Sequence, residues 1–95
     1  AWKYDALPAN SYHQEYWRRL SELRCPELLE NAVSNALRFT LAVPGVSTAI
    51  VGTKNPARWK QNTAILTEPP LPAATFQAFR TAWSRRATAE WTGQI

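Results

Sequence analysis

Lys54 and Arg58 lie one helical turn apart in a run, Gly52-Thr53-Lys54-Asn55-Pro56-Ala57-Arg58-Trp59-Lys60-Gln61-Asn62, whose residue types suit an anion. Thr53 or Asn55 can cap a helix, and Pro56 suits the first helical position, where a missing N–H costs nothing. The free amides of such a first turn, with the positive end of the helix dipole behind them, attract a phosphate. Lys54 adds a point charge. Arg58 offers a planar fork that pairs with a phosphate or stacks on a flat ring. Gln61 and Asn62 follow one turn later, and amides that both donate and accept suit the edge of a purine. Gly52 lets the backbone pass close to a ligand. The plain alternative is an ordinary strand-to-helix connection leading into a solvated basic helix.

The elements that would hold these residues can be read from pattern and punctuation. Val46-Ser47-Thr48-Ala49-Ile50-Val51 is β-branched and mostly apolar, which predicts a short buried strand ending at Gly52. A helix from Pro56 to about Leu66 follows, with Trp59 and Leu66 turned inward. Before the strand, Pro26 opens a helix in which Leu29, Val33, Ala36, Leu37, Thr40 and Leu41 recur at helical spacing until Pro44-Gly45 stops it. Residues 1–10 contain Pro8 and read as a loop. Ser11 caps a helix reaching about Leu23, with Tyr12, Tyr16, Leu20 and Leu23 on one side. Pro69, Pro70 and Pro72 make a stiff linker. Ala73 to about Thr88 forms the last helix, with Phe76, Phe79, Ala82, Trp83 and Ala87 as its apolar stripe, and Trp91 anchors the tail.

The segment from Asn35 to Asn62 resembles the carboxyl-terminal portion of the aldo-keto reductase family. The resemblance is carried by Ala36-Leu37-Arg38-Phe39, Pro44-Gly45-Val46, Ile50, Gly52-Thr53-Lys54, Pro56 and Asn62 in joint spacing. It extends more weakly over Trp2 to Leu20 and Pro70 to Ile95, so residues 1–95 read as one partial reductase domain. It implies a mostly α fold with one short β-strand, the carboxyl-terminal part of a (β/α)₈ barrel. A complete barrel takes about 250 residues, so a chain of 95 is expected to be a piece of one, in keeping with its opening on Ala1.

The resemblance implies a parent enzyme that transfers a hydride from NADPH to an aldehyde or ketone. This chain would grip the adenosine 2′-phosphate end of the cofactor. Thr53, Lys54 and the Asn55 amide would engage that phosphate, Arg58 would pair with it or stack on adenine, and Gln61 and Asn62 would touch the adenine edge beside Gly52. Gln61 stands where many members carry Glu, and Trp59 where most carry an aliphatic residue. The family's Asp, Tyr, Lys and His lie in the first half of the barrel, so no catalytic residue is assigned. Asp5, Tyr4, Lys3 and His13 supply the types in the wrong order. The partners implied are the dinucleotide and the missing amino-terminal part of the barrel.

Composition narrows the other classes. Hydrophobic residues at 45% with five tryptophans exclude a chain disordered throughout. The single cysteine, Cys25, allows no internal disulfide, and its place before Pro26 fits packing better than reactivity. With one histidine no metal-ligand spacing exists. No apolar run approaches the length of about 18 residues needed to span a membrane, which with the lone thiol points to the cytoplasm. A net charge of +4 and pI near 9.7 suit an anionic partner, and a small basic helical module for nucleic acid or protein interaction is the alternative function. Against it, the basic residues are scattered over four segments as solvated helix faces, and the strand at 46–51 does not fit a helical module. Arg38, inside an apolar helix, is expected to form an ion pair or cap a carbonyl.

Overall fold

The computed structural model describes residues 6–94, so the readings placed on Trp2, Lys3, Tyr4 and Asp5 lie outside the described residues. Five helices follow one another: α1 Ser11–Leu23, α2 Pro26–Leu29, α3 Ala32–Ala42, α4 Pro56–Ile65 and α5 Ala73–Arg86. The fold is mostly α, as expected. No strand occurs among the described residues.

Side-chain caps account for the starts of α1 and α4, and α2 opens at Pro26 without one. Asn10, rather than Ser11, caps α1 by accepting from the Tyr12 amide at 2.9 Å. The helix then runs to Leu23, where Arg24 adopts the left-handed conformation and its amide donates to the Ser21 carbonyl. The single helix expected from Pro26 onward is broken in two. Asn31 turns left-handed at φ 50, a conformation that Asn tolerates better than most residues. The Asn35 amide then donates to the carbonyls of Glu27 (3.0 Å) and Glu30 (2.7 Å), so the break leaves neither orphaned. Pro44-Gly45 stops α3 through a type II turn. Gly45 supplies φ +89 and the Val46 amide donates to the Val43 carbonyl at 3.1 Å.

The expected strand at 46–51 is irregular instead. A strand needs ladder partners for its amides and carbonyls, and the described residues supply none. Ile50 and Val51 are correspondingly left in solvent, Ile50 being 98% exposed, while Val46 and Ala49 are half-buried.

The core is small. Cys25, Leu71 and Phe79 are buried together, with Leu28, Phe39, Phe76 and Ala82 packed against them. Phe39 stacks on Phe76 with ring centroids 4.8 Å apart and meets Phe79 at 5.7 Å. Within α4 it is Ile65 that turns inward. Trp59 and Leu66, expected inside, are exposed, because no strand lies beneath that face of the helix.

Arg38 fulfils both parts of its expectation. It donates to the carbonyls of Pro69 (3.0 Å) and Pro70 (3.3 Å) and lies 3.5 Å from the Glu68 carboxylate, which also accepts from the Ser34 hydroxyl at 2.8 Å. The proline linker is thereby stapled to α3. At the other end, Arg19 donates to the Thr92 carbonyl (2.6 Å) and to Glu15 (3.0 Å), with its guanidinium over the rings of Tyr16 and Trp91. Trp91 also meets Trp83 edge-on at 5.5 Å, so the tail is anchored as its tryptophan suggests.

The whole remains open for its length. Its accessible surface of 7295 Å² exceeds by a third the roughly 5,500 Å² of a compact monomer of this mass. The radius of gyration is 14.0 Å, where a compact chain would have about 12 Å.

Candidate functional site

The start of α4 holds the residues singled out from sequence. Gly52, Thr53, Lys54 and Asn55 lie outside the helix, Pro56 opens it, and Arg58, Gln61 and Asn62 lie within it. Asn55 is the cap: its side chain accepts from the Ala57 amide at 3.0 Å and its carbonyl from the Arg58 amide at 3.0 Å. The Asn55 amide in turn donates to the Thr53 hydroxyl oxygen at 3.1 Å. These bonds revise the expectation of free first-turn amides. Pro56 has no N–H, and the next two amides are already engaged, so an anion here would rely on side chains or displace the cap.

The side chains remain accessible. Lys54, Arg58 and Gln61 are exposed and Asn62 is half-buried. Arg58 donates through Nη1 to Gln61 Oε1 at 3.3 Å, so these two already share one patch. A Cβ added to Gly52 would meet nothing within 4 Å, so no wall yet stands where a ligand would press against it.

An apolar cavity lies elsewhere. It encloses about 450 Å³ between α1, α2, α3 and α5, with Leu20, Leu23, Leu28, Phe39, Phe79 and Trp83 among its walls, and takes no residue from 52–62. Leu20 and Leu23 thus find the apolar setting that their helix face required.

Cys25 belongs to the core rather than to reactive chemistry. Burial first, and then the thiol's own hydrogen bond to the Glu27 carboxylate at 3.3 Å, push its pKa above the ordinary thiol value. The fold therefore favours the neutral thiol. Its contribution to stability is complete below the unfolded thiol's pKa and is lost as pH rises through the higher folded value. Alkylation by iodoacetamide at mildly alkaline pH is expected to run about tenfold or more slower in the native chain than in urea. Equal rates would place the thiol in solvent. His13 is half-buried on α1 and meets the Tyr12 ring edge-on at 5.8 Å.

A charged feature escaped the sequence reading. Arg18 and Arg24 from α1 and its cap, with Arg85 and Arg86 from the last turn of α5, line a single depression of about 540 Å³ together with Ser21 and Glu22. These arginines were expected to be scattered over separate solvated faces. No sequence signal joins residues some 60 positions apart; the packing of α1 against α5 does. Nor does the strand argument against a basic helical module survive, since residues 46–51 form none.

No protein-family model, curated protein or solved structure matches the chain. Among the described residues no helix is long and apolar enough to cross a membrane.

Proposed function

We propose that this chain is the carboxyl-terminal, cofactor-gripping part of an NADP-dependent aldo-keto reductase of the cytoplasm, inactive without the amino-terminal part of its barrel. The observation that carries the reading is the unpartnered stretch 46–51. It bears Ile50 and Val51 into solvent and leads, through Gly52, straight into the Asn55-capped, basic start of α4. A run this β-branched and this exposed has the character of a barrel strand without its neighbours. The surplus accessible surface, roughly 1,800 Å² beyond a compact monomer, is of the size that a substantial interface would cover.

The residues present suit the adenosine 2′-phosphate. Lys54 and Arg58 supply charge at the positive end of α4, and the Thr53 hydroxyl lies within hydrogen-bond reach of the same turn. Arg58 would exchange its bond to Gln61 for the phosphate, freeing the Gln61 amide, beside Asn62, for the adenine edge. NADPH supplies a hydride when bound. Gly52, Thr53, Lys54, Asn55, Arg58, Gln61 and Asn62 would serve to hold its far end.

Titration with 2′,5′-ADP, with 5′-AMP as the control lacking the 2′-phosphate, tests this directly. Binding is expected to weaken by about tenfold or more in a Lys54→Ala, Arg58→Ala double variant, as loss of a charge-assisted contact worth about 1.5–3 kcal/mol requires even after solvent screening. Equal binding of 5′-AMP, or an unchanged double variant, would overturn the reading.

A further inference from the structure

We propose a second anion site on this chain, at the arginine-lined depression between the carboxyl ends of α1 and α5, whose ligand is a compact chain of phosphates such as tripolyphosphate or the triphosphate end of a nucleotide. The proposal does not rest on the reductase reading. Arg18, Arg24, Arg85 and Arg86 face the depression against one carboxylate, Glu22, leaving three net positive charges around about 540 Å³. Arg18 is engaged with Glu15 at 2.8 Å on its other side, whereas Arg24, Arg85 and Arg86 form no ion pair among the described residues.

The simpler account of such residues is compensation of a helix dipole, since cations are favoured at carboxyl ends. It covers Arg85 and Arg86, which sit in the last turn of α5, and Arg24, which caps the carboxyl end of α1. It does not account for Arg18, which lies in the body of α1, or for two helix ends bringing their arginines to one hollow. Guanidinium groups gathered there repel one another until an anion enters, and their forked donors match phosphate oxygens two at a time.

The shape of the site selects the ligand. The depression spans only the second half of α1 with its cap and the last turn of α5, an extent that suits a few adjacent phosphates better than a nucleic-acid backbone. No aromatic ring lines it, so it offers a base nothing to stack on. Recognition would come from the phosphates alone.

Calorimetric titration of the full chain with inorganic tripolyphosphate at low salt is the test, alongside orthophosphate, ATP and a DNA duplex. Tripolyphosphate and ATP are expected to bind alike and orthophosphate far more weakly. An Arg24→Gln, Arg85→Gln, Arg86→Gln variant should lose about tenfold or more, while Lys60→Gln, Arg80→Gln, at exposed residues outside the depression, should stay within about twofold. Equal losses in the two variants would reduce the effect to net charge and overturn the site, as would absence of tripolyphosphate binding. Tighter binding of the duplex, phosphate for phosphate, would replace it with a nucleic-acid surface. Should the triple variant not fold, phenylglyoxal labelling of the unaltered protein decides. Tripolyphosphate is expected to protect Arg24, Arg85 and Arg86 and to leave Arg80 open, and equal protection of Arg80 would overturn the proposal. Failure of 2′,5′-ADP to bind would leave this result untouched.

Discussion

Phe79→Ala is expected to abolish the cooperative thermal transition of this protein. Phe79 is 7% exposed and belongs to a core whose other buried members are Cys25 and Leu71, with Phe39 meeting its ring at 5.7 Å. Truncating a buried phenylalanine costs about 3–5 kcal/mol, through the lost transfer energy and the cavity left behind. Whole domains are stable by only about 5–15 kcal/mol, and one this open belongs at the low end. The neighbouring cavity between α1, α3 and α5 already deprives the Phe79 region of packing, so removal of the ring would merge with an existing void. Circular dichroism through a thermal ramp is the measurement. Trp59→Ala, at a side chain 72% exposed, should change stability by less than about 0.5 kcal/mol. A sharp transition in Phe79→Ala within a few degrees of the parent would show that the core lies elsewhere.

Arg19→Ala has the next largest expected effect and acts on the tail. The Arg19 side chain is 11% exposed, and its guanidinium joins Glu15, the Thr92 carbonyl, and the faces of Tyr16 and Trp91. Breaking a fully buried pair costs about 3–5 kcal/mol. Glu15 is partly exposed and keeps Arg18 as a partner, so about 2 kcal/mol is the expected loss here. The local consequence is more specific than the global one. Without its anchor the segment 88–94 should come away from α1, and amide exchange at Trp91 and Gln94 should accelerate while that within α3 follows global stability alone. Arg19→Met keeps the apolar stem against the rings and should fall between the two. Unchanged exchange at Trp91 and Gln94 in Arg19→Ala would mean that the Trp83–Trp91 contact and the Gln94 amide's bond to the Tyr16 hydroxyl hold the tail without Arg19.

The loose packing and the functional reading bear on each other. Side chains left in solvent around residues 50–66 (Ile50, Val51, Trp59 and Leu66) surround the proposed cofactor turn. On the proposed reading an amino-terminal barrel part covers them and supplies the wall that Gly52 lacks, so cofactor affinity and stability should rise together when such a part is added. That coupling follows from mass action on one interface.

The amino-acid sequence by itself determined the local events. Asn10, Pro26, Asn55 with Pro56, and Pro72 mark four helix starts, and the Pro44-Gly45 stop is a type II turn readable from two residues. The bounds of α1, α4 and α5 were legible to within a residue or two, as were the burial of Cys25 and the anchoring of Trp91, because caps, prolines and apolar spacing act over one or two turns of chain. Tertiary structure decided the rest. Whether 46–51 becomes a strand depends on neighbours for its amides, whether Trp59 turns inward depends on a surface beneath α4, and whether Arg18, Arg24, Arg85 and Arg86 meet depends on how α1 lies against α5. The break at Asn31, although local, was equally hidden, since the Glu27 and Glu30 carbonyls it frees are satisfied by the Asn35 side chain, eight and five residues further on. Hydrogen bonds within a helix close with the sequence neighbour, whereas ladders, buried faces and charge clusters close with whatever the fold brings near.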